Sequence, residues 1–343
     1  MGYMVVTFHK FIKYLFLILV NYDAAFALTH SGMSYSPSLF VNTSVQKPTT
    51  RLLRLQNGRT VEYAEYGDPH GRPCFYLHAY LGSCRQAVLM HTVAKREGIR
   101  IIAPSRPGIG RSSPHPLRTM TEYAEDIAAI ADALDIGTFS LIGTSGGGCF
   151  ALAVAYALPD RVHLVTTLGC LGPMNHTKNL EQMPPVRRTY LSLCKENAYT
   201  LSLFLGWIHL LCRYSPYSLF RFLLWSYPFP DSHILKQEKV ANILRWDYED
   251  VFLRGTGIEA LLQEASLYFH WGFDLRSFPT SPRVLFLHSE DDPLSPWRVF
   301  RLLAGQIENS RSVLFRGGHA LFATQQTGEI FRCIKREWEF SHS

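Results

Sequence analysis

Three short stretches of this 343-residue chain carry residue types suited to nucleophilic catalysis. Residues 141–148 read LIGTSGGG, which places Ser145 among glycines where an apolar run gives way to a small-residue helical pattern. Residues 288–293 read HSEDDP and offer three neighbouring carboxylates, Glu290, Asp291 and Asp292. Residues 316–322 read RGGHALF and offer His319. A serine hydroxyl is a weak nucleophile at its own pKa; it needs a base within hydrogen-bond reach and a third group to hold that base. Gly-x-Ser-x-Gly between a strand and a helix supplies a sharp turn that pushes the serine out above a sheet. Gly143, Gly146 and Gly147 would be small because strand and helix pass close together there. The helix N-terminus also offers backbone N–H groups where an oxyanion would form. Two other readings of the stretch are a tight turn with an incidental serine and a phosphate cradle. The cradle finds no support, because neither GxxxxGK[ST] nor GxGxxG is present.

These stretches must be held by regular elements. Residues 52–55 and 60–66 flank Asn57-Gly58 as two arms of a hairpin. Short apolar runs at 74–77, 99–103, 139–142, 163–168, 283–287 and 312–315 read as buried strands. Helical spacing covers 85–97, 121–134, 147–158, 297–307 and 326–340. Strands alternating with helices imply parallel pairing and right-handed crossovers. The fold class is α/β, with a mostly parallel eight-stranded sheet flanked by helices. Residues 173–279 lack strand signals and are dense in Leu, Phe, Trp and Tyr at helical intervals, so they read as an inserted helical cap. The acid cluster and His319 each directly follow a late strand, at the sheet end where open α/β sheets bind ligands. The chain order Ser145, acid, His319 suits a triad.

The chain resembles the α/β-hydrolase superfamily, in its serine-nucleophile branch with a helical lid, from about residue 51 to 340. The resemblance rests on YGDPHGRP, HAYLGS, APSRPGIGRSSP, IGTSGGG, HSEDDPLSP and GGHALF. It implies Ser145 as nucleophile, His319 as general base and Asp292, with Pro296 four residues on, as the acid. It also implies backbone N–H groups of Tyr80 and Gly146 as oxyanion donors. The family's usual His-Gly-x-Pro is here His78-Ala79-Tyr80-Leu81, a departure in the oxyanion loop. His78 reads as ordering that loop, Arg106 as bracing the active-site loops and His288 as a packed side chain. The implied reaction cleaves a carboxylic ester, or a related thioester, amide or C–C bond, of a fairly apolar small molecule or lipid, through an acyl-enzyme and with no cofactor and no metal. An epoxide hydrolase or dehalogenase shares the RPGIGRSSP loop and capped layout, but those branches carry aspartate at the elbow. The alternative from another class is a catalytically silent member that binds a ligand or partner protein.

The formal net charge of +6 is scattered without a basic run, which argues against nucleic acid as a partner. The seven cysteines form no CxxC pair, and Cys74, Cys149 and Cys170 read as buried thiols. The histidines show no metal-ligand spacing. The expected organisation is an N-terminal apolar segment and linker over 1–50, a core over 51–172 and 280–343, and the cap over 173–279. Lys10 and Lys13, the apolar run 14–20 and Ala25-Phe26-Ala27 resemble a signal peptide, although Asn21 and Asp23 cut the run short. Signal, anchor and neither stay open. The corresponding locations are the secretory pathway or a membrane, with contact through this segment or the lid, or otherwise the cytoplasm. Asn42 and Asn175 fit the glycosylation sequon.

Overall fold

The computed structural model describes residues 47–172, 174, 188, 191–192, 195, 198–227, 231–319 and 326–340. The N-terminal apolar segment, both sequons, much of 173–197 and Ala320-Leu321-Phe322 lie outside the described residues. The strands are β1 (Arg51–Arg54), β2 (Thr60–Gly67), β3 (Arg72–Leu77), β4 (Ile99–Pro104), β5 (Phe139–Thr144), β6 (Val162–Leu168), β7 (Arg283–Ser289) and β8 (Ser310–Phe315). They form one sheet in the order β1-β2-β4-β3-β5-β6-β7-β8. β2 runs antiparallel to both its neighbours; every other pairing is parallel.

Helices cover both faces, and the strands show it in period two. Phe75, Leu77, Leu141 and Phe286 enter one core with Ile127 and Ile130 of α2 (Tyr123–Ala133), Phe150 of α3 (Gly146–Ala157) and Phe300 of α9 (Trp297–Ala304). Their neighbours Cys74, Tyr76, Ile142 and Leu285 enter the other core. There they meet Ala94 of α1 (His91–Arg96) and Ile330, Phe331 and Trp338 of α10 (Thr327–Phe340). Burial on both faces is why these strands read as continuous apolar runs. The stretch expected as one helix over 85–97 is a 3₁₀ segment, Cys84–Met90, followed by the short α1.

Between β6 and β7 the described residues form only helices: α4 (Ala198–Tyr214), α5 (Pro216–Ser226), α6 (Asp231–Ile234), α7 (Glu238–Phe252), α8 (Ile258–Leu267) and a short 3₁₀ turn, Leu275–Ser277. Leu201, Leu205, Ile208 and Cys212 recur on one face of α4. That face packs with Leu219 and Leu223 of α5, Val251 and Phe252 of α7, and Leu261 of α8. Among the described residues no helix is long and apolar enough to cross a membrane. Phe75 is fully buried, edge-on to Phe139 at 4.8 Å between ring centroids. Phe75→Ala should therefore cost about 3–5 kcal/mol, read as a lowered midpoint in urea unfolding.

Candidate active site

Ser145 stands between the end of β5 and the start of α3, with φ 52° and ψ −120°. A non-glycine residue rarely adopts this backbone, and the strain is held by its surroundings. The Ser145 N–H donates to Leu168 O at 2.7 Å, and the Gly148 N–H donates to Ser145 O at 3.0 Å. A Cβ at Gly147 would strike the carbonyls of Leu77 and His78, and one at Gly143 the backbone of Gly147. The glycines thus let α3 leave directly over β3 and β5. The N–H of Gly146 belongs to the first turn of α3, whose donors have no intrahelical acceptor.

Of the three carboxylates after β7, Glu290 and Asp291 are exposed and Asp292 is buried. The Asp292 Oδ1 atom accepts the N–H groups of Leu294 and Ser295, each at 2.8 Å. Its Oδ2 lies 2.6 Å from His319 Nδ1. Burial alone would raise the Asp292 pKa, but the His319 charge and hydrogen bond, with His288 and the Ser295 N–H, hold it below its ordinary value. His288 does more than fill space. It stacks on Phe300 at 4.5 Å and donates from Nε2 to Ser295 O at 2.6 Å, closing the turn that presents Asp292. Burial lowers the His288 pKa against the pull of Asp292.

His319 follows β8, two strands beyond β6, so its loop crosses the sheet end. Gly169, at the end of β6 with φ 59°, leaves room for it: a Cβ there would sit 3.2 Å from His319 Cε1 and 3.4 Å from Asp292 Oδ2. Two further ties fix the loop. The Ser289 hydroxyl donates to Gly317 O. The His319 N–H donates to Oδ2 of Asp231, on α6, at 2.8 Å.

The loop after β3 faces the elbow and turns at Ala79-Tyr80-Leu81-Gly82, closed by Gly82 N–H to Ala79 O at 3.1 Å. Leu81 has φ 64°, which the proline ring cannot reach, so this loop could not hold the family's usual proline without changing shape. Tyr80 and Leu81 pack on the apolar face shared by α4, α5, α7 and α8, and the Tyr80 hydroxyl donates to Leu261 O at 3.2 Å. Arg106 braces the loop from below. Its guanidinium donates to His78 O at 2.6 Å and Ala79 O at 3.0 Å. The same group forks onto Glu264 of α8, Nε to Oε2 at 3.0 Å and Nη2 to Oε1 at 2.7 Å, and lies 4.8 Å over the Phe150 ring. Burial would lower the Arg106 pKa, but Glu264 raises it, so the charge persists. His78 accepts the Arg106 N–H at Nε2 and donates from Nδ1 to Ala79 O. Burial and the Arg106 charge push its pKa well down, so it orders the loop as a neutral ring. The Tyr268 hydroxyl donates to Glu264 Oε1 at 2.8 Å, and a Cβ on Gly146 would strike that hydroxyl.

A sequence model of the alpha/beta hydrolase fold matches residues 69–325. The chain belongs to the α/β hydrolase fold family. Among curated relatives, the poly(3-hydroxyalkanoate) depolymerase of Ectopseudomonas oleovorans is 26% identical over 284 residues, covering 80% of this chain and 87% of that protein. The non-heme chloroperoxidase of Streptomyces lividans is 32% identical over 120 residues, or 34% of this chain. The first curated relatives are matched over less than half of their own length, from 31% to 44%. Among solved structures, a thermophilic esterase from Thermogutta terrifontis superposes with a TM-score of 0.62 at 19% identity, covering 86% of this chain and all of that one.

This α/β hydrolase holds a second buried polar cluster that the sequence did not announce. Arg85 donates from Nε to Asp250 Oδ2 at 2.6 Å, and Glu62 of β2 accepts from Arg111 Nε at 3.0 Å and from the Arg111 N–H at 2.8 Å. Asp247 of α7 accepts the N–H and hydroxyl of Ser83 at Oδ1, at 3.0 and 2.7 Å. Gln86 in turn accepts the Ala79 N–H at 2.9 Å. The only trace of this in the sequence is a pair of acids three residues apart in an otherwise amphipathic helix. Burial, with Asp250 nearby, pushes Asp247 up to about 8, against hydrogen bonds from Ser83 and Gln86.

Two outcomes are expected. An unfolded Asp titrates near 3.8, so between there and about 8 the folded chain keeps a proton at Asp247 that the unfolded chain has lost. This group's contribution to stability must then fall as pH rises through that window. Asp247→Asn should remove the fall, seen as a flatter plot of urea-unfolding free energy against pH. Glu264→Ala leaves the Arg106 charge buried without its counter-ion and should cost about 3–5 kcal/mol by the same measurement.

Proposed function

We propose that the chain is a serine hydrolase that cleaves a carboxylic ester of a fairly apolar small molecule or lipid through an acyl-enzyme. One observation carries this reading: a 2.6 Å His319–Asp292 contact lies against Gly169, whose neighbour Leu168 accepts the N–H of a serine on a strained strand-to-helix turn. With Nδ1 engaged by Asp292, His319 offers Nε2 to the reaction. The Ser145 hydroxyl attacks the ester carbonyl while its proton passes to Nε2. The resulting oxyanion is received by the N–H groups of Tyr80 and Gly146. Collapse of the tetrahedral adduct expels the alcohol, which takes the proton from His319. Water then gives a proton to His319, attacks the acyl group and releases the acid, and Ser145 regains its hydrogen. Throughout, Asp292 stays ionised and holds the imidazole in one tautomer.

The segment over 173–279 acts in this reading as a cap. Its inner face, with Leu201, Leu205 and Leu261 packed on Tyr80 and Leu81, supplies an apolar wall for the acyl or alcohol group. The esterase and depolymerase among the compared proteins favour an acyl substrate, and serine at the elbow disfavours the aspartate-dependent branches.

Incubation with a fluorophosphonate probe and with p-nitrophenyl esters of several chain lengths tests the proposal. Labelling and turnover are expected, and Ser145→Ala should abolish the first and lower the second by at least about 10³-fold. Asp292→Asn should lower kcat by about 10⁴-fold, and Asp291→Asn by less than about twofold. A silent binding protein would neither label nor turn over.

A further inference from the structure

The proposed mechanism uses three side chains from the core, yet the backbone of its base is held from the cap. Asp231 is fully buried on α6, and its Oδ2 accepts the His319 N–H at 2.8 Å. The same carboxylate lies flat on the preceding residue: a Cβ built on Gly318 would sit 2.5 Å from its Cγ and both oxygens. Gly318 has no left-handed backbone, so the absence of a side chain there answers to Asp231 and not to torsion. The core holds the neighbouring link through Ser289 and Gly317 O. The histidine loop is thus clamped between one core hydroxyl and one cap carboxylate. Ile234 and Leu235, three and four residues after Asp231, pack with Val240, Leu224 and Tyr227 of the cap and with Leu89 of the core, so Asp231 is carried where the cap is seated on the core.

We infer that Asp231 is a positioning residue for His319: it sets the base through a main-chain hydrogen bond, so that the triad is assembled only while this part of the cap is seated. The inference rests on the hydrolase reading for its kinetic consequence, but the placement of His319 can be read without turnover. Main-chain acceptance needs an oxygen and not a charge, so the conservative amide should substitute for the carboxylate. Displacing the base by a fraction of an ångström lowers the chemical step and leaves substrate binding by the apolar wall intact.

The test compares Asp231→Ala, Asp231→Asn, Gly318→Ala and the Ala/Ala double variant with the full wild-type chain. Each is followed by fluorophosphonate labelling rate, kcat and KM on a p-nitrophenyl ester, the urea midpoint, and the downfield proton resonance of the His319 Nδ1–H shared with Asp292. Asp231→Ala should lose about 10- to 100-fold in labelling rate and kcat with KM within about twofold, and its downfield resonance should broaden or vanish. Asp231→Asn should recover to within about threefold of wild type and keep the resonance. Gly318→Ala should cost about tenfold alone, by displacing the carboxylate, and less than about twofold on top of Asp231→Ala. An unchanged labelling rate in Asp231→Ala would overturn the inference. So would a loss confined to KM, an Asn variant as impaired as Ala, or losses at 231 and 318 that multiply. If Asp231→Ala does not fold, Gly318→Ala decides alone, since an unchanged resonance and labelling rate there overturn it equally. A wild-type chain that shows the resonance but neither labels nor turns over would sink the hydrolase reading instead, and the resonance in the variants would still decide the role of Asp231.

Discussion

The architecture around the elbow depends on one buried cation. A guanidinium removed from water is tolerated only where a carboxylate and enough acceptors replace its hydration. Arg106 finds Glu264 in α8, the carbonyls of His78 and Ala79 after β3, and the face of Phe150 in α3. Those partners come from the loop opposite the serine, the helix behind the serine and the helical insertion above it. Because the charge cannot be left unpaired at a tolerable cost, the three parts are obliged to stay together. The fork of an arginine suits this better than the point charge of a lysine, since four bonds leave one planar group in fixed directions.

The same logic recurs on the other side of the insertion, with a different balance. Arg85 pairs with Asp250, but among the described residues Asp247 has no paired cation and is held by Ser83. Besides the Tyr80–Leu261 bond, two joints tie loop and insertion together: the Arg106–Glu264 ion pair acting through the loop carbonyls, and at Ser83 a carboxyl kept largely neutral by burial. Leu81, with its left-handed backbone, sits between the two joints. A conformation costing about 1–2 kcal/mol persists only where neighbours over-determine it, and here Gly82, Ala79 and the apolar face beneath Tyr80 do so.

Much of this was legible in the sequence because it depends on local pattern. Short apolar runs gave six strands, the hairpin around Asn57-Gly58 gave the other two, and glycine spacing around Ser145 gave the elbow. The resemblance to the family's Asp–Pro spacing favoured Asp292 over Asp291, and the structure adds why: of the neighbouring carboxylates only Asp292 turns inward, onto Leu294, Ser295 and His319. What was not legible is long-range. Glu264 meets Arg106 across 158 positions, Asp247 meets Ser83 across 164 and Asp231 meets His319 across 88. An acid on an amphipathic helix looks like a solvated face until its tertiary partner is known. The break between Cys84–Met90 and α1 was missed for a related reason, since the apolar spacing runs through it while Ser83 and Gln86 are drawn toward α7 and the loop before them.

The sheet order carries one more consequence. Ser145 leaves β5, deep in the sheet, whereas His319 leaves β8, which lies at its edge with half of its residues exposed. Three strand spacings, about 14 Å, separate the two points of departure, and the histidine loop closes that gap by passing over β6 and β7. Segments differ in how often they open, and edge elements with few buried contacts open most readily. In the proposed mechanism the nucleophile is mounted on a buried central strand and the base on a half-exposed edge strand. Local opening at the β8 edge would then interrupt such a site more often than global unfolding of the core that holds the serine.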